Sequence, residues 1–319
     1  MPETSAAPDR PGYRPYRATV TAVRRLSPTF VRVSFTGPHF EHFADHARDQ
    51  RVKVVFPQDD RCYADLGVDD EDAVLRGDWY ARWRALPEER RSPFRTYTVR
   101  AVDTASRRVD IDFVGHTEHG HPVGPGSAWL HTAAPGDAVV IVGPDARSEQ
   151  SHTGMDWKPG TATELLLVGD ETAAPAIAGI LEGLPAHCRA TALIEVPDRG
   201  DAVPITSAAT VDVRWLPREG AAIGSLLVPA LHEWRRAGRS AVDAAHVDAA
   251  QPLDEIDVDS QILWDSPEPE PTGEFYAWLA GEAAVIKQLR RLLVTDWGVD
   301  RKRVAFMGYW RQGVAERTG

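Results

Sequence analysis

The hexapeptide RTYTVR, residues 95–100, places a cation, an aromatic ring and a hydroxyl within four residues. Alternate side chains of an extended strand point to opposite faces, so Arg95, Tyr97 and Val99 share one face. A guanidinium can form a fork to phosphate oxygens, a tyrosine ring can stack on a flat heterocycle, and a threonine hydroxyl or backbone amide can hydrogen-bond to a ring nitrogen. Because Thr, Tyr and Val are simply enriched in strands, the hexapeptide alone favours an ordinary amphipathic strand.

Two later segments have the pattern of phosphate or nucleotide loops. GPGSAWL, residues 124–130, leads into a helix predicted over Ser127–Ala134, the arrangement in which backbone amides and a helix N-terminus meet a phosphate. The commoner use of such a segment is a turn with Ser127 as N-cap. VGDETAAPAI, residues 168–177, stands where a dinucleotide loop would stand but lacks the GxGxxG glycines. It equally describes a turn in which the helix dipole favours Glu171.

The elements that must position these residues differ between the two halves of the chain. From Tyr16 onward the pattern has period two in the runs YRATVTAVRRL, FVRVSFTG and RVKVVFP, and TYTVRAV with RRVDIDFV forms a hairpin. Together with AVVIVGP these runs predict six strands and one capping helix in a small antiparallel β-barrel. The segment from about Gly67 to Arg91 has aromatic residues at helical spacing and predicts a helical insertion.

After Asp156 the pattern changes to buried strands alternating with helices. ELLLVGD, RATALIEV, VDVRWLP, FYAWLAG and RVAFMGYW predict strands, and three helical segments lie among them. This order indicates an α/β domain with a mainly parallel sheet. A ligand is expected at the carboxyl ends of its strands, facing the cleft between the two domains.

The domain boundaries follow from these changes of pattern. Residues 1–15 are predicted to be a loose N-terminal arm, residues 16–150 the barrel domain, and residues 160–319 a nucleotide-type α/β domain. An acidic, Pro-containing stretch near residues 239–273 is predicted to be mostly loop or weakly ordered linker.

Composition excludes several classes of protein. The net charge of −11 over 319 residues argues against nucleic acid or anionic membranes as partners, so any anionic ligand must meet a local basic patch. Cys62 and Cys188 form no CxxC pair, which suggests neither a disulfide framework nor a cysteine metal site. The N-terminus has no secretory pattern and no run approaches the roughly 18 apolar residues of a membrane span. A cytoplasmic protein without membrane insertion is expected.

The order of the three segments, RxYT on a barrel strand, GxxS before a short helix and then an α/β domain, resembles the ferredoxin reductase superfamily. In that superfamily the barrel holds a flavin and the second domain a nicotinamide nucleotide. The stretches ALPEERRSPFRTYTVR, DFVGHTEHGHPVGPGSAWL, GDETAAPAI, WLAGEAAVIKQLRR and GYWRQG further resemble the siderophore-interacting protein family, FAD-dependent reductases of ferric siderophores. The resemblance covers nearly the whole chain from about residue 16.

For FAD, the resemblance implies that Arg95 contacts the pyrophosphate, Tyr97 stacks on the isoalloxazine and Thr98 bonds near its reactive nitrogen. His116 matches a family histidine at the flavin. It could equally be a surface histidine beside His119 and His121, and metal binding by that HxxHxH cluster is a third interpretation. The remaining residues implied for FAD are Val99, Gly126, Ser127, Ala128, Trp129, Asp170, Glu171, Thr172 and Ala173.

For the nicotinamide, the candidates are Gly281 and Glu282, in AGE at a strand end, and Trp310, which could equally close the core. Plant-type reductases carry a cysteine near this strand end, whereas this chain has Ala280. NADH and NADPH both stay open, because Glu195 would suit a ribose diol and Arg199 a 2′-phosphate.

The function that the resemblance implies is electron transfer from NAD(P)H through FAD to the Fe(III) of a siderophore, with a ferredoxin as an alternative donor. Lys53 and Arg311 are the candidates for binding the anionic chelate, with Arg90 and Arg91 of lower weight, although a strand lysine is most often a solvated edge residue. A general flavin reductase, the reductase component of an oxygenase and a non-enzymatic siderophore carrier are the alternatives.

Overall fold

The computed structural model describes residues 10–118, 121–238, 240–248, 251, 253, 263–267 and 272–313. The chain divides into two compact units. The first contains the described residues up to Arg25 together with Phe30–Met155. The second contains the described residues from Asp156 onward together with Leu26–Thr29, the short connection between the first two strands.

The first unit is built on a closed antiparallel barrel of six strands, as the alternating pattern predicts. Its strands follow the order β1-β2-β5-β4-β3-β8, while β6 and β7 pair with each other in a separate ribbon. The strands are β1 (Tyr13–Arg25), β2 (Phe30–Thr36), β3 (Arg51–Val55), β4 (Phe94–Asp103), β5 (Arg108–Val114), β6 (Thr117–Glu118), β7 (His121–Pro122) and β8 (Ala138–Pro144).

Strands β3, β4 and β8 separate two apolar layers because successive side chains alternate across them. Val52 and Val54 of β3 belong to the barrel interior. Val55 and Phe94 belong to a second cluster on the outer face, to which the helices α1 (Arg61–Asp65) and α3 (Trp79–Ala85) contribute Tyr63 and Trp83. A further short helix, α2 (Glu71–Arg76), lies between them in the chain.

The helical insertion is therefore present, but it begins before the predicted start near Gly67. Helix α1 lacks a side-chain cap, so its five residues have little local signal. It buries Cys62 and Tyr63 in the outer cluster, and this packing rather than capping stabilises it.

The capping helix α4 spans Gly124–Thr132, whereas the sequence predicts Ser127–Ala134. Pro125 occupies one of its first positions, where the missing N–H costs no hydrogen bond. Ser127 consequently lies inside the helix and is not its N-cap, which is Val123.

The second unit contains a six-stranded sheet in the order β11-β10-β9-β13-β14-β12. Its first five strands are parallel and β12 is antiparallel to β14, which confirms a mainly parallel sheet. The strands are β9 (Glu164–Gly169), β10 (Arg189–Val196), β11 (Thr210–Pro217), β12 (Trp264–Asp265), β13 (Phe275–Glu282) and β14 (Val304–Trp310), and the helices are α5 (Ala174–Glu182), α6 (Leu227–Arg236), α7 (Ser240–Ala244) and α8 (Ala283–Arg290).

The stretch 239–273 contains two elements that its composition does not predict, α7 and the edge strand β12. Strand β12 has only two residues, too few for the alternation of apolar and polar residues that predicts a strand. Ion pairs from Arg290 and Arg301 to Asp265 hold β12 in place. Residues 254–262 and 268–271 of this stretch lie outside the described residues.

No helix in the described part of the chain is both long and apolar enough to cross a bilayer. Cys62 and Cys188 are buried free thiols. Among the residues that the structure describes, no group of three or more His, Cys, Asp or Glu side chains could hold a metal ion, and His119 is outside them.

Candidate cofactor and substrate sites

The RTYTVR segment forms the first half of β4. Val99 is buried in the barrel core, and Tyr97 packs half-buried against the same core with its ring centroid 4.3 Å from that of Phe113. Arg95 shares this face by strand alternation, is half-buried, and donates from Nη1 to the carbonyl of Phe94 at 2.7 Å. The predicted cation and aromatic ring therefore share one face near the start of the strand.

The start of α4 packs directly on Tyr97. A Cβ atom added at Gly126 would lie 2.1 Å from the Tyr97 hydroxyl oxygen, so only glycine allows this approach. The hydroxyl of Ser127 accepts a hydrogen bond from the backbone N–H of His116 at 3.1 Å. The structure thus brings together four of the predicted FAD residues.

The glycine turn at the start of α4 remains open. Gly124 is exposed with φ +78°, and a Cβ atom there would meet nothing within 4 Å. The first turn of a helix presents backbone N–H groups that have no partner within the helix. With a guanidinium and a half-exposed tyrosine on the adjoining strand, this donor set fits a pyrophosphate joined to a flat ring, as in FAD.

Other residues predicted for FAD have different surroundings. Trp129 closes the barrel core, with ring centroids 5.3 Å from Phe56 and 5.5 Å from Phe113, while Ala128 is exposed. Thr98 is buried and points to the opposite face of β4 from Tyr97.

Lys53 lies beside the RTYTVR strand but on its other face. Its Nζ atom is 3.1 Å from the Thr96 hydroxyl and 5.0 Å from the centroid of the Phe94 ring. The two further substrate candidates already have partners in the helical insertion. Arg90 pairs with Asp65, and Arg91 donates to two backbone carbonyls.

In the second unit, the direction of strand order reverses between β9 and β13. Strands β10 and β11 extend to one side of β9, while β13 and β14 extend to the other. Ligands of open α/β sheets bind at the carboxyl ends of the strands at such a reversal. Asp170 follows β9 at this point, and Gly281 and Glu282 end β13 beside it.

Asp170 is the centre of a hydrogen-bonded cluster that contains most of the predicted second-unit residues. Its Oδ1 accepts from the backbone N–H and the hydroxyl of Thr172 at 2.9 and 2.5 Å. Its Oδ2 accepts from the backbone N–H of Glu282 and from Nε1 of Trp310, both at 2.8 Å. Ala173 is buried at the start of α5.

The same surroundings shift the ionisation of Asp170. Burial and then the negative charge of Glu171 raise its pKa from 3.8 to about 6, although the hydrogen bonds from Thr172 and Trp310 act in the opposite direction. The Asp170 carboxyl therefore loses its proton at a higher pH than an exposed aspartate does.

A buried ion cluster beside this site was not predicted. Arg218 donates to both oxygens of Glu171 at 2.7 and 2.9 Å and lies 3.3 Å from Glu195. The fully buried Glu195 also accepts from the backbone N–H groups of Gly224 and Leu226, so its carboxylate is not presented to a ribose. Arg218 directly follows β11, and nothing in its local sequence indicates these partners.

The remaining nicotinamide and substrate candidates flank the same strand ends. The carboxylate of Glu282 is the N-cap of α8, accepting from the N–H groups of Ala284 and Val285. Trp310 and Arg311 are half-buried at and beyond the end of β14. Arg199 pairs with exposed Glu219.

Comparison with protein-family profiles gives two adjacent matches. Residues 19–148 match the siderophore-interacting FAD-binding domain, and residues 162–313 match the siderophore-interacting protein profile. The chain is 35% identical over 307 residues to the uncharacterised protein Rv2895c of Mycobacterium tuberculosis, covering 95% of this chain and 93% of that protein. It is 25% identical over 307 residues to the ferric vibriobactin reductase ViuB of Vibrio cholerae, covering 96% and 93%.

Solved structures support the same relationship. A siderophore utilization protein from T. fusca superposes with a TM-score of 0.63 and 27% identity, covering 96% of each chain. A ferredoxin NADP+ reductase from Neisseria gonorrhoeae has a TM-score of 0.54 at 12% identity, covering 91% of this chain and 97% of that one. The second likeness shows that the fold is that of the ferredoxin reductases.

Proposed function

Since the chain belongs to the siderophore-interacting protein family, with FAD as its cofactor, we propose that it is a reductase of ferric siderophores that uses NADH or NADPH. The observation that carries the proposal is the packing of the α4 glycine turn on Tyr97 beside Arg95, within the segment that matches the FAD-binding profile. The likeness to ViuB supports an oxidoreductase and suggests the substrate class.

Bound FAD would supply the redox chemistry, hydride acceptance from a nicotinamide and single-electron transfer to Fe(III), so one NAD(P)H would reduce two ferric chelates. The protein binds and orients the flavin and shields it from solvent. Iron(II) binds hard siderophore oxygens more weakly than iron(III), so reduction releases the metal from its chelate without an iron ligand from the protein.

Each unit contributes its own residues to this function. In the barrel unit Arg95 holds the pyrophosphate, Tyr97 stacks on the ring system and the start of α4 offers backbone donors. In the second unit the strand ends at Gly281 and Trp310 receive the nicotinamide. Lys53 and Arg311 attract the anionic chelate. This local positive charge is needed because the protein's net charge of −11 repels an anion.

An anaerobic titration tests the proposal. NADH or NADPH should bleach the flavin absorbance, and two equivalents of a ferric catecholate or hydroxamate should restore it. Restoration by free riboflavin but not by ferric chelates would instead identify a general flavin reductase. A protein that binds the ferric chelate but no FAD would be a non-enzymatic carrier. Bleaching of the flavin by reduced ferredoxin but by neither nucleotide would show that ferredoxin, and not NAD(P)H, is the electron donor.

A further inference from the structure

The side chain of Asp170 joins the ends of three strands. It follows β9, yet its Oδ2 accepts from the Trp310 indole at the end of β14, and β13 lies between those two strands. Neighbouring strands are about 4.8 Å apart, so the contact spans roughly 10 Å of sheet. The carboxylate must therefore pass over the end of β13.

Gly281 makes this passage possible. A Cβ atom at this position would lie 2.6 Å from Asp170 Oδ2, and the glycine has φ +152°, which other residues rarely adopt. Any side chain at residue 281 would occupy the place of the carboxylate. The glycine thus permits the contact between Asp170 and Trp310.

The carboxylate has no capacity left for a ligand of its own. Two carboxylate oxygens offer about four lone-pair directions. All four are used, by two donors of Thr172, the Glu282 amide and the Trp310 indole. Asp170 is only 2% exposed, whereas Trp310 is half-exposed.

We propose that Asp170 is a positioning residue: its carboxylate fixes the indole of Trp310 and the Gly281–Glu282 turn for the nicotinamide-dependent step. The role in that step rests on the proposed function. The charged groups that face Asp170 already have partners, because Glu171 pairs with Arg218 and Glu282 caps α8. Of the described hydrogen bonds to the Asp170 carboxylate, the one from the Trp310 indole reaches the end of β14.

Hydrogen exchange of indole N–H groups in the FAD-free protein tests the contact itself. The chain has ten tryptophans, and W310F assigns the Trp310 signal in ¹⁵N-tryptophan-labelled protein. D170N should accelerate exchange of this signal at least tenfold. D156N is a matched control, because Asp156 accepts from Trp264 Nε1 at 3.1 Å in the same unit, and it should change the Trp310 signal less than twofold.

Unprotected Trp310 in the wild-type protein, or unchanged exchange in D170N, would overturn the proposal. Because D170N removes an acceptor from several donors and could fail to fold, G281A provides a second variant. The methyl group should displace the carboxylate and also accelerate exchange at Trp310 at least tenfold. An unchanged Trp310 signal in folded G281A would contradict the geometry.

A double-mutant cycle tests the positioning role. D170N should lower the rate constant of flavin reduction by NADH or NADPH about tenfold when Trp310 is present, but less than twofold in the W310F background. Equal losses in both backgrounds would overturn positioning through Trp310. If neither nucleotide reduces the wild-type flavin, the proposed function fails, while the exchange experiment still decides whether Asp170 holds the indole.

Discussion

Arg95 stands at the start of β4 on the same face as Tyr97, and its proposed role is to bind the FAD pyrophosphate. A charge-assisted fork to phosphate contributes about 1.5–3 kcal/mol, so R95A should weaken FAD binding roughly 10- to 100-fold. Fluorescence titration of the FAD-free protein measures this change. The exposed R84A removes the same charge from α3 and serves as the control. An unchanged affinity of R95A for FAD would indicate that RTYTVR is an ordinary strand without a role in cofactor binding.

Lys53 points away from Arg95, so its replacement should separate substrate binding from cofactor binding. One partly exposed cation contributes about 1 kcal/mol, and K53A should therefore raise KM for an anionic ferric siderophore roughly fivefold. FAD affinity should stay within twofold. The exposed K302A is the matched control in steady-state assays. A KM in K53A equal to that in K302A would remove Lys53 from the substrate site.

The raised pKa of Asp170 predicts the pH dependence of stability. Between 3.8 and about 6 the folded protein holds this proton more tightly than the unfolded chain, so its contribution to stability falls as pH rises. Going from pH 5 to 7, wild type should lose about 1 kcal/mol of unfolding free energy relative to D170N. Urea unfolding at both pH values measures the difference. An unfolding free energy of wild type that rises with pH relative to D170N would contradict the raised pKa of Asp170.

At the scale of elements, a buried carboxylate anchors the segment Leu26–Thr29 within the second unit. Asp201 is fully buried and accepts from the Ser27 hydroxyl at 2.6 Å and from the backbone and hydroxyl of Thr29 at 2.8 and 2.7 Å. Leu26–Thr29 consequently belongs to that unit although it joins two barrel strands.

D201A should lower the free energy of unfolding by about 3 kcal/mol, because it leaves several buried donors without an acceptor. Urea unfolding of the full chain measures the loss. D243N provides the contrast, since Asp243 is an exposed partner of Arg235 and its replacement should change stability by less than about 0.5 kcal/mol. Equal effects of the two substitutions would argue against the anchor.

At the scale of the whole molecule, FAD should stabilise the folded protein by mass action. At about 100 times its Kd, FAD raises the free energy of unfolding by about 2.7 kcal/mol. Thermal scans should show a higher Tm with FAD than with riboflavin, because riboflavin has no pyrophosphate for Arg95 and the start of α4. An equal shift with both flavins would argue against the pyrophosphate site.

Local patterns determined the element types in both units. The alternation of β4 and β5 and the continuous apolar run of β9 are properties of single strands, so the sequence alone predicts a barrel followed by a mainly parallel sheet. The RTYTVR, GPGSAWL and GDETAAPAI segments indicate nucleotide chemistry only through their order along the chain and the family resemblance, because each one alone also describes an ordinary strand or turn. The predicted helix boundaries differ from the observed ones where tertiary packing decides them, as at α1 and at the start of α4.

The tertiary structure decided which of these residues act together. Asp170 and Trp310 are 140 positions apart and meet only because β9, β13 and β14 are neighbours and residue 281 has no side chain. Glu195 suits a ribose by its position at a strand end, but Arg218 and two backbone amides already use its oxygens. A sequence pattern reports the period of one element, whereas contacts across strands depend on the strand order and register that the whole core sets.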